Sequence, residues 1–224
     1  MVRGVLLRRV LQKIYNSFKF IKIVTVHHVT DEEPIIDSCI ISTQAFEKYI
    51  EKKHFVHVYE GLTKVSKNQQ AYILTVDDAL DDLYTEIWPI CKKRNIPFTA
   101  FISADLLDEK GYITKEQLVE MSRDPLVTIG SHGCNHVKLN ECKDDSAWYE
   151  ISESKKKLEN LIRKKVDLLS YPNGIASRRE KIIAKKVGYK YAFGTIPRQF
   201  NFLTRMVFPF DIPRYNLSKE NPNP

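Results

Sequence analysis

The stretch "AYILTVDDALDDLYTEIWPICKKRNIPFTAFIS", residues 71 to 103, decides how the chain is read. An apolar run of strand length ends in two carboxylates, Asp77 and Asp78; an acidic helix-like segment follows, and after "IP" comes a second apolar run. Strand, helix, strand in this order is the unit of a parallel sheet. Two adjacent carboxylates at the end of a buried strand repel each other unless a cation, a shared proton or solvent relieves them.

Working outward, "IKIVTVHH", "HFVHV", "PLVTIG", "KVDLLSYP" and "KYAFGT" read as further strands. Helical patterns are expected near residues 43 to 53, 80 to 94, 114 to 122, 146 to 163 and 178 to 187. About seven strands alternating with helices imply an α/β fold, either an open doubly wound sheet or a small imperfect barrel. Periodicity does not separate the two. With no internal repeat or Gly/Ser linker, residues 20–218 are expected to form one domain, with residues 219–224 as a flexible tail.

The 224 residues are 43% hydrophobic, enough for a substantial core, and the net charge of +7 favours anionic partners. Cys39, Cys91, Cys134 and Cys142 form no C-x-x-C pair and no dense framework, so free thiols in a reducing compartment are expected. Residues 1–19 read as a basic amphipathic helix: Leu7, Val10, Leu11, Ile14 and Phe18 share a face, with Arg3, Arg8, Arg9, Lys13 and Lys19 elsewhere. Charges interrupt the apolar run and no small-residue cleavage site follows, so it is not read as a signal peptide. It suits either an anionic membrane surface or packing on the domain. The expected location is the cytoplasm, peripheral to the inner face of the membrane. Lysines such as those of "SKKKLENLIRKK" lack interleaved aromatics, which argues against nucleic acid.

In parallel α/β folds, ligands gather at the C-terminal ends of strands. Four such ends carry polar groups here: His27 and His28, Asp77 and Asp78, His132 and His136 of "SHGCNH", and "YPNG". One carboxylate with two imidazoles is a ligand set typical of catalytic zinc. His132 and His136 are four apart, so a helical turn after Gly130 would aim both rings at one ion, with one of the two aspartates as third ligand. His54 and His57 read as structural.

"LTVDDALDDLYTEIWPICKKRNIPFTAFIS" resembles the first motif of the polysaccharide deacetylases, carbohydrate esterase family 4; "IGSHGCNHVKL" resembles the second and "LLSYPNG" the third. "VTVHHVTDE", "STQAFEKYIE", "VGYKYAFGT" and "FPFDIPRYNL" are similar to flanking segments of members that act on bacterial surface polysaccharides. The resemblance implies a distorted, incomplete (β/α) barrel and metal-dependent removal of N-acetyl groups from an amino sugar in surface polysaccharide or lipid-linked glycan biosynthesis. It implies Asp78, His132 and His136 as ligands of a divalent ion, Zn²⁺ first and Co²⁺, Ni²⁺ or Mn²⁺ as alternatives, and Asp77 as general base. "VHHV" resembles the segment from which rearranged members draw their general acid, which implies His27, with His28 as second choice. The pattern departs from the family at Ala79, where a glycine is usual, and at Ser170, where an arginine is usual; Arg214 is the candidate replacement. A catalytically degenerate, carbohydrate-binding relative is the alternative reading.

Overall fold

The computed structural model describes residues 21–31, 39–63, 71–196, 200 and 206–224. The amphipathic reading of residues 1–19 lies outside them. Seven strands form one sheet: β1 (Ile21–Val26), β4 (Ala71–Val76), β5 (Phe98–Ile102), β6 (Val127–Ser131), β7 (Leu168–Ser170), β8 (Tyr191–Phe193) and β9 (Tyr215–Asn216). Their order is β8-β7-β6-β5-β4-β1-β9, and each neighbouring pair is parallel. Two short strands, β2 (His28–Val29) and β3 (Ile40–Ile41), pair beside it. The helices are α1 (Thr43–Ile50), α2 (Val58–Thr63), α3 (Trp88–Lys93), α4 (Lys115–Arg123), α5 (Asp144–Ile162) and α6 (Arg178–Val187).

Successive side chains of a strand point to opposite faces, and this period of two divides the core. Val24, Val26, Leu74, Val76, Ala100 and Ile102 face the helices with Leu118, Ile151 and Ile183. Ile21, Ile23, Ile73, Phe101, Leu168 and Phe193 fill the inside of the curl, stoppered by Val58 and Leu62 of α2 and by Phe200. Gly130 is required on this inner surface: a Cβ there would stand 2.5 Å from the Phe101 ring. Continuing along the same inner rows, the residues turn polar, through Thr25 and Thr75 to Asp77, and from Leu168 to Ser170. An apolar floor therefore carries a polar rim at the strand ends.

The curl is an incomplete (β/α) barrel, and one C-terminal strap spans its gap. Ile212 is bonded to β8, donating to Ala192 O and accepting from Gly194 N–H, both at 2.9 Å. Three residues later Tyr215 and Asn216 pair with Val24 and Thr25 of β1, and Leu217 N–H donates to Thr25 O at 2.8 Å. Between these anchorages lies Arg214, fully buried.

Four sequence expectations are corrected. "HFVHV" is not a strand. Phe55 makes only an isolated bridge to Tyr72, because β1 occupies one edge of β4 and β5 takes the other from Leu74 onward, leaving room for a residue or two. "IKIVTVHH" is not continuous: β1 stops at Val26, the chain bends at His27, and His28 starts a separate ladder with β3. The helix expected over 80 to 94 opens with a π turn, Leu83–Ile87, before α3. Finally, the segment read as a tail from residue 219 is tethered at its root, where Lys219 N–H donates to Ile40 O at 2.7 Å and Asn221 Nδ2 to Asn216 O at 3.0 Å. The helix expected over 178 to 187 forms with those bounds; Ser177 and Glu180 make its capping box, and Gly188, at φ 93°, ends it in the left-handed region. None of the four cysteines forms a disulfide.

Candidate metal and catalytic site

Asp77 continues the inner row of β4 and is held to β1 by its N–H, which donates to Val26 O at 3.0 Å. Immediately after it, Asp78 (φ 72°) and Ala79 (φ 66°) both adopt left-handed backbone, which reverses the chain. The neighbouring carboxylates thereby enter different environments.

Asp77 is 1% exposed and meets the strap. Arg214 grips it with two parallel bonds, Nη1 to Oδ1 at 2.7 Å and Nη2 to Oδ2 at 2.6 Å. Ser170 Oγ donates to Oδ2 at 3.1 Å. The guanidinium spends its other donors on Ser170 Oγ, Thr75 Oγ1, Thr25 Oγ1 and Gly194 O, above the Phe101 and Phe193 rings. Burial alone would raise the pKa of Asp77, but the positive charge of Arg214, with His132 behind it, holds it down at about 2. Arg214 from the strap thus partners Asp77, with Ser170 as a small bridge between the two.

Asp78 faces two imidazoles. Its Oδ1 lies 3.3 Å from His132 Nε2 and 3.2 Å from His136 Nε2. His132 is anchored through its other ring nitrogen, Nδ1, 2.8 Å from Ser170 O. A carbonyl only accepts, so Nδ1 carries a proton, and in the neutral ring the lone pair of Nε2 turns toward Asp78. Acceptors then face one another, and Asp78 Oδ1 is buried without a hydrogen-bond partner. The three ligand atoms lie within 4.8 Å of one another. Bonds of about 2.0–2.2 Å to one tetrahedral ion separate its ligands by about 3.3–3.6 Å, close to the 3.2 and 3.3 Å found. The donor set therefore fits a divalent cation. Burial works against charge at Asp78, yet the two histidines beside it hold its pKa well below the usual carboxylate range; at His132, burial is outweighed by both aspartates and the pKa is raised.

The helical turn expected after Gly130 does not form. His132 directly follows β6, and His136 is reached through a loop in which Gly133 (φ 79°) and His136 (φ 54°) are left-handed. The rings converge, with centroids 5.0 Å apart, by loop reversal instead of helical periodicity.

The two N-terminal histidines part company at the bend. His27 has a buried Nδ1 with no hydrogen-bond partner; burial lowers its pKa, while Asp77 and Asp78 are close enough to pull against that. His28 turns away to Asp82, Nδ1 to Oδ1 at ion-pair distance, 3.0 Å, and that carboxylate raises its pKa. Asp82 Oδ2 also accepts Val29 N–H at 2.6 Å. Asp82 was not recognised from sequence, although the second acidic pair of "DDALDD" was the available signal.

The polysaccharide deacetylase family model matches residues 64–192. YxkH of Bacillus subtilis strain 168, which carries the name of a polysaccharide deacetylase, is 28% identical over 130 residues, 58% of this chain and 46% of that protein. The poly-β-1,6-N-acetyl-D-glucosamine N-deacetylase of Staphylococcus aureus is 26% identical over 159 residues, 65% of this chain and 54% of that protein. The chain spans about half the length of these two relatives. Among solved structures, the Streptococcus pyogenes deacetylase PplD superposes with a TM-score of 0.76 at 22% identity, covering 90% of this chain and 96% of that one.

Proposed function

The chain belongs to the polysaccharide deacetylase family, and on that premise we propose that it is a metal-dependent hydrolase that removes N-acetyl groups from an amino sugar of a surface polysaccharide or lipid-linked glycan. The observation that carries this reading is the Asp78–His132–His136 cluster, three ligand atoms within 4.8 Å of one another, beside an Asp77 held separately by Arg214. The Staphylococcus aureus relative supports the substrate class through its name, a poly-N-acetylglucosamine deacetylase.

A bound divalent cation, Zn²⁺ first in expectation, would polarise the acetyl carbonyl and lower the pKa of water. The chain's own groups do the rest. Asp77 accepts the proton of the attacking water, and Arg214 keeps that carboxylate charged and aimed. His27 gives a proton to the departing amine; with Nδ1 otherwise unpartnered, it is available for that exchange. Water and amide thus become acetate and free amine. Ser170 fixes His132 through its carbonyl and Asp77 through its hydroxyl, so one residue registers both halves of the site.

One observation favours the second reading, a carbohydrate-binding relative without turnover: Arg214 and Ser170 occupy both oxygens of Asp77, which weakens it as a base. Acetate release from a panel of N-acetylated glycans, polymeric, lipid-linked and nucleotide-linked, with and without chelator, separates the two. Chelator-sensitive release supports the enzyme; binding of the same glycans without release supports the alternative. Residues 1–19 are proposed to touch anionic membrane, which co-sedimentation with vesicles at low and high salt tests. Among the described residues no helix is long and apolar enough to cross a membrane.

A further inference from the structure

Glu150, on α5, is 5% exposed and belongs to neither half of the site described above. Its Oε2 accepts the backbone N–H groups of Cys134 at 2.8 Å and Asn135 at 2.9 Å, and its Oε1 accepts from Asn135 Nδ2 at 2.8 Å. All three donors are neutral, and among the described residues no cation stands at ion-pair distance. A carboxylate buried in this way is costly unless something offsets its charge. The loop is wrapped closely on it: a Cβ at Gly133 would lie 3.2 Å from Oε2.

The two histidines on either side of these peptides are held unequally. His132 is fixed at the end of β6, its N–H on Ile102 O at 2.8 Å and its Nδ1 on Ser170 O. His136 is one-third exposed, and its Nδ1 makes no hydrogen bond to another described residue. The aim of its ring therefore depends on the backbone of residues 133–136, within which Glu150 grips the N–H groups of Cys134 and Asn135.

We propose that Glu150 is a positioning residue for the metal site: its carboxylate clamps Cys134 and Asn135 so that His136 meets Asp78 and His132 around one divalent cation, whose charge it also complements. This rests on the metal reading of that cluster. Partners of this kind, one step removed from the ion, typically change metal affinity 10–100-fold.

The test is calorimetric titration of Zn²⁺ into chelator-stripped full-length wild type, Glu150→Ala and Glu150→Gln, with thermal melts of each protein stripped and zinc-loaded. Glu150→Ala is expected to weaken zinc binding about 10–100-fold and to shrink the rise in melting temperature on loading. Glu150→Gln, whose carbonyl can still accept the two backbone N–H groups, should lie between it and wild type. If Glu150→Ala does not fold, weakened binding by Glu150→Gln carries the proposal. Wild-type affinity in every variant that folds, with only the stripped melting temperature lowered, would reduce Glu150 to a structural role and overturn it. A wild type that takes up no zinc overturns the metal reading and this inference together.

Discussion

At the residue scale, the central feature is that adjacent aspartates enter different environments because the backbone reverses between them, and the proposed division of roles follows from that. Asp77→Asn removes a proton acceptor but no proposed ligand, so metal content should stay near that of wild type while activity falls about 10²-fold or more. Asp78→Asn should lose the metal as well. Equal metal loss in both, read by elemental analysis, would contradict the division. The reversal has a cost: Ala79 sits at φ 66° and is 1% exposed. A non-glycine residue in that region is strained by about 1–2 kcal/mol, part of which glycine gives back in lost chain entropy. Ala79→Gly should therefore stabilise the protein by up to about 1 kcal/mol in chemical denaturation, and a destabilised variant would refute the strain. From the residues alone, the two histidines and one of the two aspartates were legible as candidate ligands, and the resemblance to the family singled out Asp78. The geometry of the trio was not legible, because the convergence of His132 and His136 depends on left-handed backbone at Gly133 and His136 that spacing does not encode.

At the element scale, β4, β5, β6 and α6 were legible because each is bounded by local signals: an apolar run that ends in charge, "IP" before β5, and Ser and Gly around α6. The break after Val26 was not legible, since it depends on pairing with β3 and on Asp82 from beyond β4. That link makes a pH prediction. The Asp82 carboxylate beside His28 raises its pKa above the ordinary 6.5, so the protonated form favours the folded state. Its contribution is fully present below about 6.5, the unfolded value, and is lost as pH rises through the higher folded value. His28→Gln should accordingly destabilise the stripped protein most near pH 6 and progressively less toward pH 9. A penalty that grows with pH would reverse the sign and exclude the mechanism.

At the scale of the whole molecule, the strap that closes the curl is also what charges the site. Ile212 binds β8, Tyr215 binds β1, and Arg214 between them reaches Asp77 in the interior, so the strap that closes the barrel also brings the cation that keeps the buried carboxylate charged. Arg214→Ala should strip a buried carboxylate of its partner and cost about 3–5 kcal/mol, whereas Arg214→Lys keeps the charge but not the two-point grip. The partnership was legible only as a candidate, because Arg214 lies 137 residues from Asp77 and no local pattern joins them. 

The central claim is that Asp78, His132 and His136 hold a cation that the deacetylation requires. It is tested most directly by measuring acetate released from an N-acetylglucosamine polymer by one preparation, first stripped with chelator and then reloaded with stoichiometric Zn²⁺, beside His132→Ala treated alike. The account predicts release that vanishes on stripping, returns on reloading, and does not return in the variant. Release that persists undiminished in the stripped protein, or that His132→Ala retains in full, would contradict it.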